Sequence, residues 1–152
     1  MLGVVALPAA AHEEDESYPL DFTQAPDGVL PWGELAKVGV MREGGRIEVR
    51  FLPPVLALEG KPVTLYGYMT TVDQGTLHKR FLISMQPLFC RACTLPITPD
   101  GIVEVNMVEP MAARDEALAV RGTLALVRND PNGLIYRLVA ARVVTRADAR
   151  AP

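Results

Sequence analysis

From Arg46 onward the chain alternates between polar and apolar residues. Arg46-Ile47-Glu48-Val49-Arg50-Phe51 has the period of a half-buried strand, and Pro53-Pro54 stops it. Lys61 to Thr70 puts Val63, Leu65 and Gly67 on one face and Tyr66 and Tyr68 on the other. After the turn Asp73-Gln74-Gly75-Thr76, the run His78 to Gln86 aligns Phe81, Ile83 and Met85. Ile102 to Val108 aligns Val103, Val105 and Met107. Ala117 to Val127 alternates most cleanly, with Leu118, Val120, Gly122, Leu124 and Leu126 together. Dense turn chemistry at Asn129-Asp130-Pro131-Asn132-Gly133 leads into Leu134 to Thr145. That last run has apolar residues on both faces, which predicts a bulge or a strand covered on both sides.

Five or six short strands without a long helix predict an all-β fold, a barrel or a sandwich. Gly67 and Gly122 lie inside strands, where glycine marks sharp coiling or a close backbone approach. Small barrels need such corners to close. The expected fold is therefore a small OB-like barrel of five to six strands. Ahead of it, Trp32-Gly33-Glu34-Leu35-Ala36 predicts one short helical turn, with Pro31 suited to its start and Trp32 burying against the barrel. Tyr66 and Tyr68 are expected to pack under the N-terminal arm. The chain divides into a truncated signal (1–11), an acidic, proline-rich arm with the helical turn (12–45), the barrel (46–146) and a polar tail (147–152).

Charge and length narrow the functional classes. The chain of 152 residues is enough for one domain with a real core. Its net charge of −3 argues against a nucleic-acid groove, which needs a basic surface. No apolar run reaches the ~20 residues of a membrane helix, so the chain is not expected to span a membrane. Ala9-Ala10-Ala11, closing an apolar N-terminal stretch, fits the small-residue cleavage rule for export, although a basic leading region is missing. His12-Glu13-Glu14-Asp15-Glu16 then reads as a solvated acidic run. A periplasmic, oxidising location is the resulting expectation.

The candidate chemistry sits in Cys90-Arg91-Ala92-Cys93, which holds the only two cysteines, on a proline-bounded connection between strands. Three readings stay open. One is a plain disulfide between Cys90 and Cys93, which in so short a ring is strained and labile. Another is a soft-metal clip for zinc or copper, with Cys90 and Cys93 as ligands and His78 and His12 as weak further donors. The last is thiol–disulfide exchange, which lacks the helix N-terminus that would lower a thiol pKa. The competing reading of His78 is a solvated turn residue. That of Met69, Met85, Met107 and Met111 is core packing. Ser17 and Ser84 are the only serines, and neither lies in a nucleophile motif. Glu104 and Glu109 show no sign of a working carboxylate pair. No catalytic residue is assigned, and an enzyme is not expected.

Several segments resemble, in order, the bacterial DUF3299 family of unknown function. They are Gly60-Lys61-Pro62-Val63-Thr64-Leu65-Tyr66-Gly67-Tyr68-Met69, Lys79-Arg80-Phe81-Leu82-Ile83-Ser84, Cys90-x-x-Cys93, Gly101-Ile102-Val103-Glu104-Val105, Val120-Arg121-Gly122-Thr123-Leu124 and Gly133-Leu134-Ile135-Tyr136-Arg137-Leu138. Trp32-Gly33-Glu34-Leu35 is similar to that family's tryptophan-bearing opening segment, and the likeness spans residues 31–145. The resemblance implies an exported protein, set beside genes for metal-responsive transport systems with ABC-type permeases, and implies no chemistry. The chain departs from one common form, in which the second cysteine is replaced and a proline-rich run follows; here only Thr94-Leu95-Pro96 remains. The resulting expectation is a non-enzymatic accessory binding protein of an envelope transport system, related to a transition metal. The alternatives are a structural or protein-interaction barrel with a plain disulfide, or a redox protein.

Overall fold

The alternating runs form strands in a computed structural model, which describes residues 20–88, 98–145 and 148, without the side chains of Arg42, Glu43, Arg46 and Ile47. The strands are β1 (Val38–Glu43), β2 (Arg46–Phe51), β3 (Pro62–Thr71), β4 (His78–Ser84), β5 (Ile102–Met111), β6 (Leu118–Leu126) and β7 (Tyr136–Val144). Two single helical turns, α1 (Trp32–Leu35) and α2 (Pro53–Leu56), precede the barrel. Pro31 stands at the cap of α1, just before its first turn.

The barrel is closed in the order β3-β4-β5-β7-β6. Neighbours are antiparallel except β5 and β7, which run parallel. A three-strand meander, a crossing to β6 on the far side of β3, and β7 closing the gap make the OB arrangement. β3 changes partner midway: Pro62–Gly67 pairs with β6, and Tyr68–Thr71 pairs with β4. At that switch a Cβ on Gly67 would lie 2.4 Å from the Ser84 carbonyl oxygen, so only glycine lets the strands touch. Gly122 faces a similar approach, 2.8 Å from the Val139 oxygen. The bulge expected in the last strand falls at Ala140. Arg121 pairs with Arg142 and Thr123 with Val139, leaving one extra residue on β7, and Ala140 takes φ 51° to absorb it.

The barrel interior is filled by Leu65, Phe81, Ile83, Val103, Val105, Val120, Leu124 and Leu138, all fully buried. Leu35 of α1 and Val55 of α2 are buried in the same core and plug the end where β3, β5 and β7 begin. Two hydrogen bonds fasten the plug: the Tyr136 hydroxyl donates to the Leu35 carbonyl (2.6 Å) and Trp32 Nε1 donates to the Tyr66 carbonyl (2.9 Å). Outside the barrel, Leu20 packs on Tyr66 and Ala119, with Tyr68 beside them. The arm then bridges β3 from Val29 to Thr64. The tyrosines do lie under the arm.

Two boundaries differ from the sequence reading. The barrel begins at Pro62, not Arg46, because β2 pairs with β1 in a hairpin of its own around Gly44-Gly45, and Pro53-Pro54 starts α2 instead of a barrel connection. Met85 lies beyond the end of β4 and is exposed, so it does not share the core face of Phe81 and Ile83.

Burial, reinforced by the Asp100 carboxylate, pushes the Tyr136 phenol well above its ordinary value. The neutral phenol therefore stabilises the fold fully below its unfolded value of about 10. That contribution is lost as pH rises from there toward the folded value. Tyr136→Phe is expected to cost about 1 kcal/mol at neutral pH, for the lost bond to Leu35. It is also expected to flatten the fall in stability above pH ~10. Denaturant titrations across the alkaline range check both effects, and an alkaline limb as steep as in the parent would refute the assignment.

Candidate binding face

Because β4, β5 and β7 turn Phe81, Ile83, Val103, Val105, Tyr136 and Leu138 inward, the intervening residues face out. These are Arg80 and Leu82, Glu104 and Asn106, and Arg137 and Val139. The register brings them into contact: Leu82 is opposite Glu104, Arg80 opposite Asn106, and Glu104 opposite Arg137. Glu104 is the centre of the group. Its side chain points to the outer surface yet is only 9% exposed. Its Oε1 accepts from Arg137 Nε (2.5 Å) and Asn106 Nδ2 (3.3 Å), while Arg80 Nη1 lies 3.6 Å from Oε2.

A carboxylate this poorly hydrated must be paired, and here two guanidinium groups share it. Arg137 also reaches toward Asp130 in the β6–β7 connection, at 3.9 Å. Asp130 is held by its own turn, accepting from Asn132 N at 2.7 Å and Gly133 N at 3.1 Å. The turn chemistry thus serves the face as well as the strand connection. Arg80, 56% exposed, keeps most of its donors toward solvent. The result is an ordered set of planar donors and acceptors on a rigid sheet, suited to matching a complementary polar surface.

Of the metal-ligand candidates singled out from the sequence, only His78 is among the described residues. Cys90, Cys93 and His12 fall outside the described residues. His78 is buried, 3% exposed, which corrects the reading of a solvated turn residue. The register shift between His78 and Arg80 turns it out of solvent, and its Nδ1 lies 2.5 Å from Asp73 Oδ1. His78 opens β4, whereas the connection bearing the cysteines leaves from the opposite end, about 20 Å along a strand of this length. Among the described residues no three His, Cys, Asp or Glu side chains gather as a metal-ligand group. Ser84 is spent on structure, its hydroxyl donating to the Gln86 carbonyl at 2.6 Å. Met107 is in the core, and Met69 and Met111 pack against it. Among the described residues no helix is long and apolar enough to cross a membrane.

Sequence reading assigned Glu104 no role, only the absence of a working carboxylate pair with Glu109. The available signal was its outward place between Val103 and Val105, but its partners come from other strands. What the fold and this face define is a small, closed β-barrel of OB type with a charged outer sheet surface. A crystal structure of a DUF3299 family protein from Pseudomonas aeruginosa PAO1 is similar to it, at 21% identity and a TM-score of 0.43. The alignment covers 58% of this chain and 64% of that one, so this chain spans somewhat under two thirds of that protein's length. No family profile and no curated protein matches the chain.

Proposed function

We propose that this chain is a non-enzymatic binding barrel of the cell envelope, serving a transport system whose protein component docks on the outer face of β4, β5 and β7. The observation that carries this reading is Glu104. An outward-facing carboxylate held almost out of water between Arg137 and Arg80 is a prepared polar surface, and it lies on the side that OB barrels use for ligands. Apolar side chains fill the barrel interior, so binding on this reading falls to the outer face. Ala9-Ala10-Ala11 supports the export part of this reading, and the sequence resemblance supports its tie to transport. The relation to a transition metal rests on Cys90 and Cys93 as soft donors.

Photo-crosslinking in the native host tests the docking face. A photoreactive residue at Arg80 or Val139 is expected to trap one protein component of an envelope transport system. The same group at Glu48, on the β1–β2 hairpin, is expected to trap none. Equal adducts from all three positions, or none from Arg80 and Val139, would overturn the proposal.

A further inference from the structure

Across β7 from Glu104 the outer surface becomes basic. The charged residues of β6 and β7 are Arg121, Arg137 and Arg142, and neither strand carries an acid. Glu104 pairs with Arg137. Arg121 and Arg142 are direct cross-strand partners, and both are exposed. Like charges so placed destabilise a sheet. Among the described residues neither of the two has an ion pair. Arg121 donates from Nη1 to Oγ1 of Thr64 (3.3 Å), its partner on β3, a threonine only 4% exposed. Arg142 instead lines a shallow groove toward β5 with Met107, Glu109 and Pro110. The two guanidinium groups thus lean to opposite sides. Glu109 lies in the groove of Arg142 without reaching ion-pair distance. The Asp148 carboxylate, beyond the end of β7, is engaged by Thr145, accepting from its N (2.8 Å) and its Oγ1 (2.6 Å). A chain of net charge −3 therefore keeps an uncompensated arginine pair on a rigid sheet.

A sheet that retains a locally unfavourable pair marks a place where another requirement has prevailed over stability. Adjoining strands set the two Cα atoms about 5 Å apart, so both planar forks can reach one small anion. A carboxylate has only two oxygens, which a single guanidinium takes up in a bidentate pair. A phosphate group has an edge for each fork, and its charge of about −1.5 to −2 at neutral pH matches two arginines. We propose that Arg121 and Arg142 form a phosphate-binding site on the outer wall of β6 and β7, with Thr64 positioning the Arg121 fork. The bound group draws the two side chains together and removes the like-charge cost in the sheet. Arg114, in the next groove along the wall beside Tyr66 and Thr145, adds to the positive potential there. A soluble phosphate and an anionic phospholipid headgroup share this chemistry. The site is separate from the Glu104 face and does not depend on its docking role.

Calorimetric titration of the full chain with sodium phosphate, at ionic strength held constant with NaCl, reads the site. Saturable binding is expected in the parent. Arg121→Gln/Arg142→Gln is expected to weaken it about tenfold or more, for the loss of charge-assisted bonds. Arg121→Lys/Arg142→Lys is expected to weaken it several-fold, because an ammonium is a point charge and not a fork. Arg50→Gln, at an exposed position on the β1–β2 hairpin, is expected to leave it unchanged. Phosphate should also raise the melting temperature of the parent and leave that of the Gln variant where it was. Arg142→Gln alone serves if the double variant does not fold, as checked by circular dichroism. Co-sedimentation with phosphatidylcholine vesicles carrying phosphatidic acid separates the two sources. Arginine-dependent binding to them assigns the phosphate to a lipid headgroup, and phosphate binding without it assigns a soluble phosphate. No saturable binding in the parent, or binding that survives the Gln substitutions, would overturn the site. So would equal affinity in the parent and the Lys variant.

Discussion

Gly67→Ala is expected to destabilise the protein by about 3 kcal/mol, enough to lower the melting temperature by roughly 10 °C. The new methyl would sit 2.4 Å from the Ser84 carbonyl oxygen and 3.1 Å from Ile83 Cγ1. The first obstacle is backbone, so no rotamer change can relieve it. Gly67 is also where β3 leaves β6 and takes up β4. Moving the strands apart there would loosen the pairing of Tyr68 with Ser84 and of Met69 with Ile83, and with it the closure of the barrel. Gly33→Ala is the matched control: Gly33 lies in α1, and nothing within 4 Å would meet its Cβ. Thermal melts of the two variants decide the matter. A Gly67→Ala protein as stable as Gly33→Ala would mean that the close approach of β3 and β4 is not required.

Leu35→Ala is expected to cost about 3 kcal/mol, the usual range for emptying a fully buried leucine site. Leu35 carries no exposed surface and packs in one core with Trp32, Val55 and Tyr136, although α1 has only a single turn. Such a turn has no stability of its own, so its burial in the barrel mouth is what holds it. The substitution keeps the backbone oxygen that accepts from Tyr136, so the loss reports apolar contact and not that hydrogen bond. Leu56→Ala in α2, where the leucine is 45% exposed, is expected to change stability by less than about 0.5 kcal/mol. Denaturant unfolding followed by Trp32 fluorescence and by far-ultraviolet circular dichroism should give coincident transitions in both variants. Early loss of the Trp32 signal alone would show that the plug is a separate unit and not part of the barrel core.

Much of the barrel was legible in the chain because alternation is a local property. The inward sets Val63-Leu65, Phe81-Ile83, Val103-Val105-Met107 and Leu118-Val120-Leu124 can each be read from a few consecutive residues, and each is buried as expected. Glycine inside two strands marked the two closest backbone approaches, and apolar residues on both faces of the last strand marked the bulge at Ala140. The β1–β2 hairpin was misplaced for the opposite reason. Arg46–Phe51 alternates like a barrel strand, and period alone does not say which strand it will pair with.

The site was far less legible. Arg80, Glu104 and Arg137 are separated by long stretches of chain and meet only because β4, β5 and β7 are neighbours, β5 and β7 in parallel register. His78 read as a turn residue because it borders one; a shift in strand register buried it and gave it Asp73. By itself, then, the sequence determined the strands, their buried faces and the tight corners, since these follow from side-chain period and from the one residue without a Cβ. Only the tertiary structure decided which strands adjoin, what plugs the barrel, and that Glu104 lies between two arginines on its outer face. Pairing and charge burial depend on residues distant in the chain, and no local pattern records them.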